Sequence, residues 1–370
     1  MSPPQRIQHI VVKVGASVLS DAAGRPDERR LAELVRQLAE CRAQGRRVVL
    51  VSSGAIACGM AQLRLKRRPA SLAQLQACAA VGQGRLMELY SAAAARQGIT
   101  VAQVLLTQAD LADRVRCRNA KQTLRALLDH AVLPIINEND AVAVEEIAFG
   151  DNDRLAALVG CVLEADLVVL LSDVDGLLHE GRVIERIDRL DASHHAMVLG
   201  PSRETTTGGM AAKLAAARIT RHGGIPLIIA NGTAPGILQD VLGGKPVGTL
   251  VAPPATKLKF RKWWAAFAVR TPRGTIVVDA GASEALRHRG TSLLPVGVAA
   301  VEGAFKPGDP VAIVDVQRAE IARGITNFSS RELQLIRGLS SRKIVDVLGR
   351  ASAEEVVHRD HLVLTQELNA

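Results

Sequence analysis

Aromatic residues are scarce in this 370-residue chain: two tryptophans, one tyrosine and five phenylalanines make up 2% of it. Reading single-stranded nucleic acid by stacking bases needs more platforms than that, so such binding is disfavoured as the main activity. No apolar run approaches the roughly 20 residues needed to cross a bilayer. The opening MSPPQRIQHI lacks the apolar core of an export signal, and a cytoplasmic location is expected. The five cysteines (Cys41, Cys58, Cys78, Cys117, Cys161) are odd in number and form no CxxC pair, which reads as reduced, packed thiols. No Cys/His cluster has zinc-ligand spacing, His194-His195 reads as a loop dipeptide, and no protein metal ligand is expected. A Ser-His-Asp arrangement and the P-loop pattern GxxxxGK[ST] are both missing.

What is present suffices for a large core and for two domains, with 48% hydrophobic residues. The net charge is +9, and residues 253–370 carry 17 Lys+Arg against 12 Asp+Glu, so the basic excess is mild and spread along the chain.

The chain is organised around Pro134 to Leu171. Two acid-amide clusters, Asn137-Glu138-Asn139-Asp140 and Asp151-Asn152-Asp153, sit between apolar runs, the second opening a segment with helical spacing (Leu155, Leu158, Val159, Val162). Taken singly, each is an ordinary turn or N-cap residue. Together they mark the crevice at the carboxyl ends of parallel strands, where ligands bind.

Strands and helices alternate on either side, the mark of an α/β fold with a parallel sheet and crossovers on both faces. Ile10 to Val14 reads as a strand interrupted by Lys13, whose ammonium can point over the strand ends or, on an edge strand, face water. A helix is expected over Glu28 to Gln44, and a strand over Val48 to Val51 runs into Ser52-Ser53-Gly54, a turn suited to an anion at a helix start. Separate helices are expected over Ser71–Ala80 and Arg85–Gln97, with another over Asn119–Ala131. Leu167 to Leu171 reads as a strand ending in Ser172-Asp173. Thr205 to Met210 is a hydroxyl- and glycine-rich loop opening a helix to His222, with Lys213 in its first turn, hardware for nucleotide phosphates. Gly243 to Lys262 reads as a connector, beyond which short β runs suggest a small, mostly β domain of about 80 to 100 residues.

Two lysines, an acid-amide array and glycine turns suit phosphoryl transfer, which needs positioning and cations more than covalent help. A carboxylate acceptor, already an anion at neutral pH, fits a site whose segments hold no histidine, although Asp140 or Asp153 could serve as a base to a hydroxyl acceptor.

KVGASVL (Lys13–Leu19), VSSGAIACG (Val51–Gly59), INENDAV (Ile136–Val142), FGDNDRLAALV (Phe149–Val159), LLSDVDGL (Leu170–Leu177) and TGGMAAK (Thr207–Lys213) together resemble the glutamate 5-kinases of the amino-acid kinase superfamily. VDAGASEALRHRGTSLLPVGV and FKPGDPVAI resemble a PUA domain. The resemblance implies a three-layer αβα kinase domain over 1–255, a linker over 256–273 and a PUA-like β domain over 274–370. It implies that ATP, with Mg2+, phosphorylates the side-chain carboxylate of L-glutamate in the first step of proline biosynthesis. Lys13 and Lys213 would stabilise the transferring phosphoryl group, with Asp153 and Asp151 organising them. Ser53, Asp140 and Asn152 would bind glutamate. Lys13, Ser172, Asp173, Thr207, Gly208, Gly209, Met210, Ala211, Ala212 and Lys213 would bind nucleotide. It also implies a homo-oligomer, hand-over of the acyl phosphate to glutamate-5-semialdehyde dehydrogenase, and feedback by proline through residues it does not identify. The chain departs from the family at LLHEGRVIERI after Gly176 and at SRETTT before Gly208, both on the nucleotide side. The alternatives are another carboxylate or carbamate kinase, against which the NEND and GDND pair and the appended domain weigh, and an RNA-binding role for the β domain, against which its modest charge and few aromatics weigh.

Overall fold

The computed structural model describes residues 7–22, 24–142, 152–191, 194, 209–269, 271–340, 343–349 and 353–369. The chain divides into two compact units, Met1–Thr256 and Lys257–Ala370.

The first unit is built on an eight-stranded sheet. In chain order its elements are β1 (His9–Val14), α1 (Glu28–Ala43), β2 (Arg47–Ser52), α2 (Ala55–Gln62), α3 (Leu72–Ala95), β3 (Val101–Leu106), α4 (Gln108–Ala112), α5 (Arg114–Asp129), β4 (Leu133–Glu138), α6 (Asn152–Leu163) and β5 (Leu167–Ser172). The hairpin strands β6 (Leu178–His179) and β7 (Arg182–Val183) follow, then β8 (Arg186–Ile187), α7 (Gly209–His222), β9 (Leu227–Asn231), a short helix Ile237–Leu242 and β10 (Thr249–Val251). The sheet order is β3-β4-β2-β1-β5-β9-β10-β8, parallel except for the β9/β10 pair. Lys13 therefore lies on an interior strand, and the edge-strand reading does not hold.

Strand alternation decides which way Lys13 faces. Ile10, Val12 and Val14 belong to the apolar cluster formed with Leu31, Leu34, Val35 and Leu38 of α1 and Leu86, Leu89 and Tyr90 of α3. Successive strand side chains point to opposite faces, so Lys13 is turned to the other layer, where α6 packs against β1 and β5 and α7 packs against α6.

The structure differs from the sequence expectation at two places. The residues expected to form two helices around Gly82-Gln83-Gly84 form one helix of 24 residues, α3. The glycine at 82 serves a contact instead of a break: a Cβ there would lie 1.8 Å from the Ala55 carbonyl oxygen, and one at Gly59 would lie 1.8 Å from the Cys78 carbonyl. The α2 and α3 backbones thus touch where only hydrogen fits between them. The connector expected over Gly243 to Lys262 contains β10, whose backbone pairs with β9 and β8 inside the sheet.

The second unit has a five-stranded sheet, β12-β11-β13-β14-β15, from β11 (Gly274–Val278), β12 (Val298–Gly303), β13 (Pro310–Val314), β14 (Glu320–Ile325) and β15 (Leu362–Leu364). Its pairs are antiparallel except β11/β13. Ile276, Val278, Val311, Ile313, Phe328 and Leu333 form its core. Helical residues Phe260–Ala268 precede it, with Trp263 and Trp264 buried. Short helices, among them Ala280–Arg289 and Ser330–Ile336, lie between strands that the sequence shows as β runs alone.

All five cysteines are free and buried. Burial pushes the Cys41 and Cys58 thiols up to about 11, so both stay protonated and packed instead of reactive at neutral pH.

Candidate active site

The carboxyl ends of β1, β2, β4 and β5 converge where α2 and α6 begin. The turn after β2 is fixed by Ser53 N–H donating to the Val14 carbonyl at 3.1 Å. Gly54, at the N-cap of α2, has φ 115°, a conformation open to glycine and strained for other residues. Ser52, fully buried, has its hydroxyl 2.7 Å from that of Tyr90 and donates to the Ser53 carbonyl at 2.9 Å. The turn is thus held from the core side as well.

Lys13 and Lys213 meet on one carboxylate. Lys13 Nζ lies 2.6 Å from Asp153 Oδ1, an ion pair by distance without hydrogen-bond alignment. Lys213 Nζ donates to Asp153 Oδ2 at 3.1 Å and to the Gly209 carbonyl at 3.2 Å. The two lysines are 6% exposed and Asp153 2%. Buried charges of this kind persist only when paired. Among the described residues, two ammonium groups share this one carboxylate, and a polyanion would find them held in place.

Asn152, one residue before Asp153, faces the β2 turn. Its Nδ2 donates to Ser53 Oγ at 2.9 Å and to Asn137 Oδ1 at 3.0 Å, with the Ser52 carbonyl farther off at 3.4 Å. Asn137, at the end of β4, donates from Nδ2 to Gln83 Oε1 of α3 at 2.8 Å, and its Oδ1 also accepts from Glu138 N–H at 2.9 Å. Asn152 Oδ1 and Gln83 Nε2 are buried with no hydrogen-bond partner among the described residues.

Asp140 lies in the turn after β4, half-buried. Burial raises its pKa above the ordinary carboxylate value, and the Arg68 guanidinium works in the opposite direction. Ser172, buried at the end of β5, donates to Asp173 Oδ1 at 3.1 Å, and its carbonyl accepts from Gly232 N–H at 2.7 Å. Nearby, Asn231 Nδ2 donates to Asp175 Oδ1 at 2.8 Å and Asn231 Oδ1 accepts from the Thr233 hydroxyl at 2.7 Å. Gly209, Met210, Ala211 and Ala212 form the first turn of α7 beside Lys213. Asp151, Thr207 and Gly208 lie outside the described residues.

The structure therefore joins Lys13, Asp153 and Lys213 in one cluster and Ser53 and Asn152 in another next to it. Asn137, one of the acid-amide residues that the sequence marks at the strand ends, and Gln83 complete the second cluster. No sequence signal singles out Gln83, which lies between the two helices expected over Ser71–Ala80 and Arg85–Gln97.

The amino acid kinase family matches residues 8–231 and the PUA domain family residues 274–348. Over nearly its whole length the chain is similar to curated glutamate 5-kinases. It is 44% identical to that of Trichlorobacter lovleyi over 367 residues, covering 97% of both chains. It is 46% identical to that of Thermus thermophilus over 375 residues (99% of this chain, 100% of that one) and 48% identical to that of Salinispora arenicola over 364 residues (96% and 98%).

Proposed function

The chain belongs to the glutamate 5-kinase family, an amino acid kinase domain carrying a PUA domain, and we propose that it transfers the γ-phosphoryl group of ATP to the side-chain carboxylate of L-glutamate. The observation that carries this reading is the convergence of Lys13 and Lys213 on Asp153.

A glutamate carboxylate oxygen forms the new bond to phosphorus as the bond to the β,γ-bridging oxygen breaks, giving ADP and L-glutamyl 5-phosphate. The acceptor is already ionised, so no base is needed. The obstacle is repulsion between two anions, and the two ammonium groups offset it as charge spreads over the phosphoryl oxygens. Asp153 holds both lysines in place. Asp151 shares this task in our reading.

Ser53, Asn152 and Asp140 are assigned to glutamate, the last opposite its ammonium group. Ser172, Asp173 and the run Thr207 to Lys213 are assigned to the nucleotide, with a helix N-terminus favouring phosphate. Among the described residues no group of three His, Cys, Asp or Glu could cage a metal ion. Asp153, the buried carboxylate among the described residues of the site, is already shared by two lysines, so Mg2+ would enter with ATP and be held by phosphate oxygens and water. Catalysis is assigned to residues 1–255, joined through 256–273 to the PUA domain from 274 onward. No described helix is long and apolar enough to cross a membrane. Cytoplasmic residence, homo-oligomerisation, feedback by proline and hand-over of the labile acyl phosphate to the dehydrogenase of the next step in proline biosynthesis belong to the same proposal.

The test is ADP release from pure, folded protein with ATP and Mg2+. Turnover that depends on L-glutamate, with the product captured as a hydroxamate, is expected. Its absence, or equal turnover with carbamate, would overturn the assignment.

A further inference from the structure

We infer that Gln83 is a positioning residue for substrate recognition, acting through Asn137 to set which end of the Asn152 amide faces the substrate. The inference rests on the reading of Asn152 as a glutamate-binding residue.

A side-chain amide has one donor end and one acceptor end, so a line of amides carries a direction. Here the direction is complete. Gln83 Oε1 accepts from Asn137 Nδ2, which turns Asn137 Oδ1 towards α6. That oxygen accepts from Asn152 Nδ2, which also donates to Ser53 Oγ. Asn152 Oδ1 is left over, buried and without a partner among the described residues, as an acceptor suited to an ammonium group. Turning any one amide over would set nitrogen against nitrogen or oxygen against oxygen in a buried place, where mismatched polar groups are costly.

Gln83 and Asn137 are 9% and 2% exposed, so water does not correct a mismatch between them. Its neighbour Gly82 is where the α3 backbone meets that of α2, and Gln83 itself bonds to Asn137 at the end of β4. A glutamine at a buried position of α3, among Leu75, Cys78, Ala79 and Leu86, has no packing reason that leucine would not serve as well.

The experiment compares glutamate KM, kcat and ATP KM for wild type, Gln83→Met and Gln83→Glu. Methionine keeps the volume and removes the acceptor. Glutamate keeps an oxygen for Asn137 and replaces Nε2, which bonds to none of the described residues, with a second carboxyl oxygen. Gln83→Met is expected to raise glutamate KM about tenfold, the scale of one lost buried hydrogen bond, with kcat and ATP KM nearly unchanged. Gln83→Glu is expected to keep glutamate KM within about threefold of wild type, a fraction of that loss. A wild-type glutamate KM in Gln83→Met, or equal impairment in both variants, overturns the inference. Gln83→Ala removes the acceptor without adding bulk and carries the same expectation should the methionine variant fail to fold. Wild-type protein lacking glutamate-dependent turnover would instead defeat the functional assignment itself, and this inference with it.

Discussion

Lys13 Nζ lies 2.6 Å from Asp153 Oδ1, an ion pair that ties an interior strand of the sheet to the first turn of α6. Because Lys213 binds the other oxygen of the same carboxylate, Asp153 is the counter-ion for both lysines. Asp153→Asn keeps the shape and deletes the charge, leaving two buried ammonium groups facing each other. The expected outcome is a loss of about 3–5 kcal/mol of stability, as for other broken buried pairs, together with turnover lowered by at least about a hundredfold. Denaturant unfolding and ADP release measure the two effects. Native stability in this variant would mean that the lysines are neutralised by something else.

Lys213→Ala separates transition-state binding from substrate binding. It is expected to lower kcat by about a hundred- to a thousandfold with glutamate KM changed little, as for a group that acts on developing charge. A variant that kept its kcat and lost only affinity would move Lys213 out of that role.

Asp140 gives a pH prediction. Its pKa is raised in the folded protein, mainly by burial, so the folded state holds the proton more tightly than the unfolded chain. Stability from this group therefore increases as pH falls through the raised pKa, and its ionised form at neutral pH is a cost to the fold. In the proposed role opposite the substrate ammonium, Asp140 acts in its ionised form, so glutamate affinity should weaken on acidification at a higher pH than for an ordinary carboxylate. Asp140→Asn is expected to raise glutamate KM by at least about tenfold while leaving thermal stability equal or higher. An unchanged glutamate KM would contradict the assignment.

Two glycines two residues apart in α3 should behave oppositely. A Cβ at Gly82 would lie 1.8 Å from the Ala55 carbonyl oxygen, whereas nothing lies within 4 Å of one at Gly84. Gly82→Ala is expected to cost at least about 1–3 kcal/mol and to weaken glutamate binding by pushing α2 and the Ser53 turn away. Gly84→Ala should be neutral or stabilise by about 0.5–1 kcal/mol, the usual gain at a helix-interior glycine. Thermal unfolding of the pair distinguishes close packing from a general dislike of substitution.

Much of the kinase unit was legible because its strands are short apolar runs ended by polar tips, a pattern that survives without tertiary information. Lys13 in such a run left an interior and an edge strand both open, and the pairing of β1 with β2 and β5 decides for the interior one, whereas the helix opened by Asn152-Asp153 follows directly from its spacing. Gly82 and Gly84 misled because sequence shows the absence of a side chain and not what approaches in its place. Thr249–Val251 was lost in a Gly/Pro-rich stretch because three residues are too few to show a period, and their strand character comes from β9 beside them. Gln83 could not be placed in the site at all, since its partner Asn137 is 54 positions away and the link exists only once α3 packs over β4.

Trp263 and Trp264 both lie in the helical stretch Phe260–Ala268 of the second unit, and the lone tyrosine, Tyr90, lies in the first. Nature has in effect dyed one of the two units. Indole emission reports the surroundings of the second unit directly, so binding of a nucleotide or amino acid to the kinase unit is better followed by calorimetry, which registers both units.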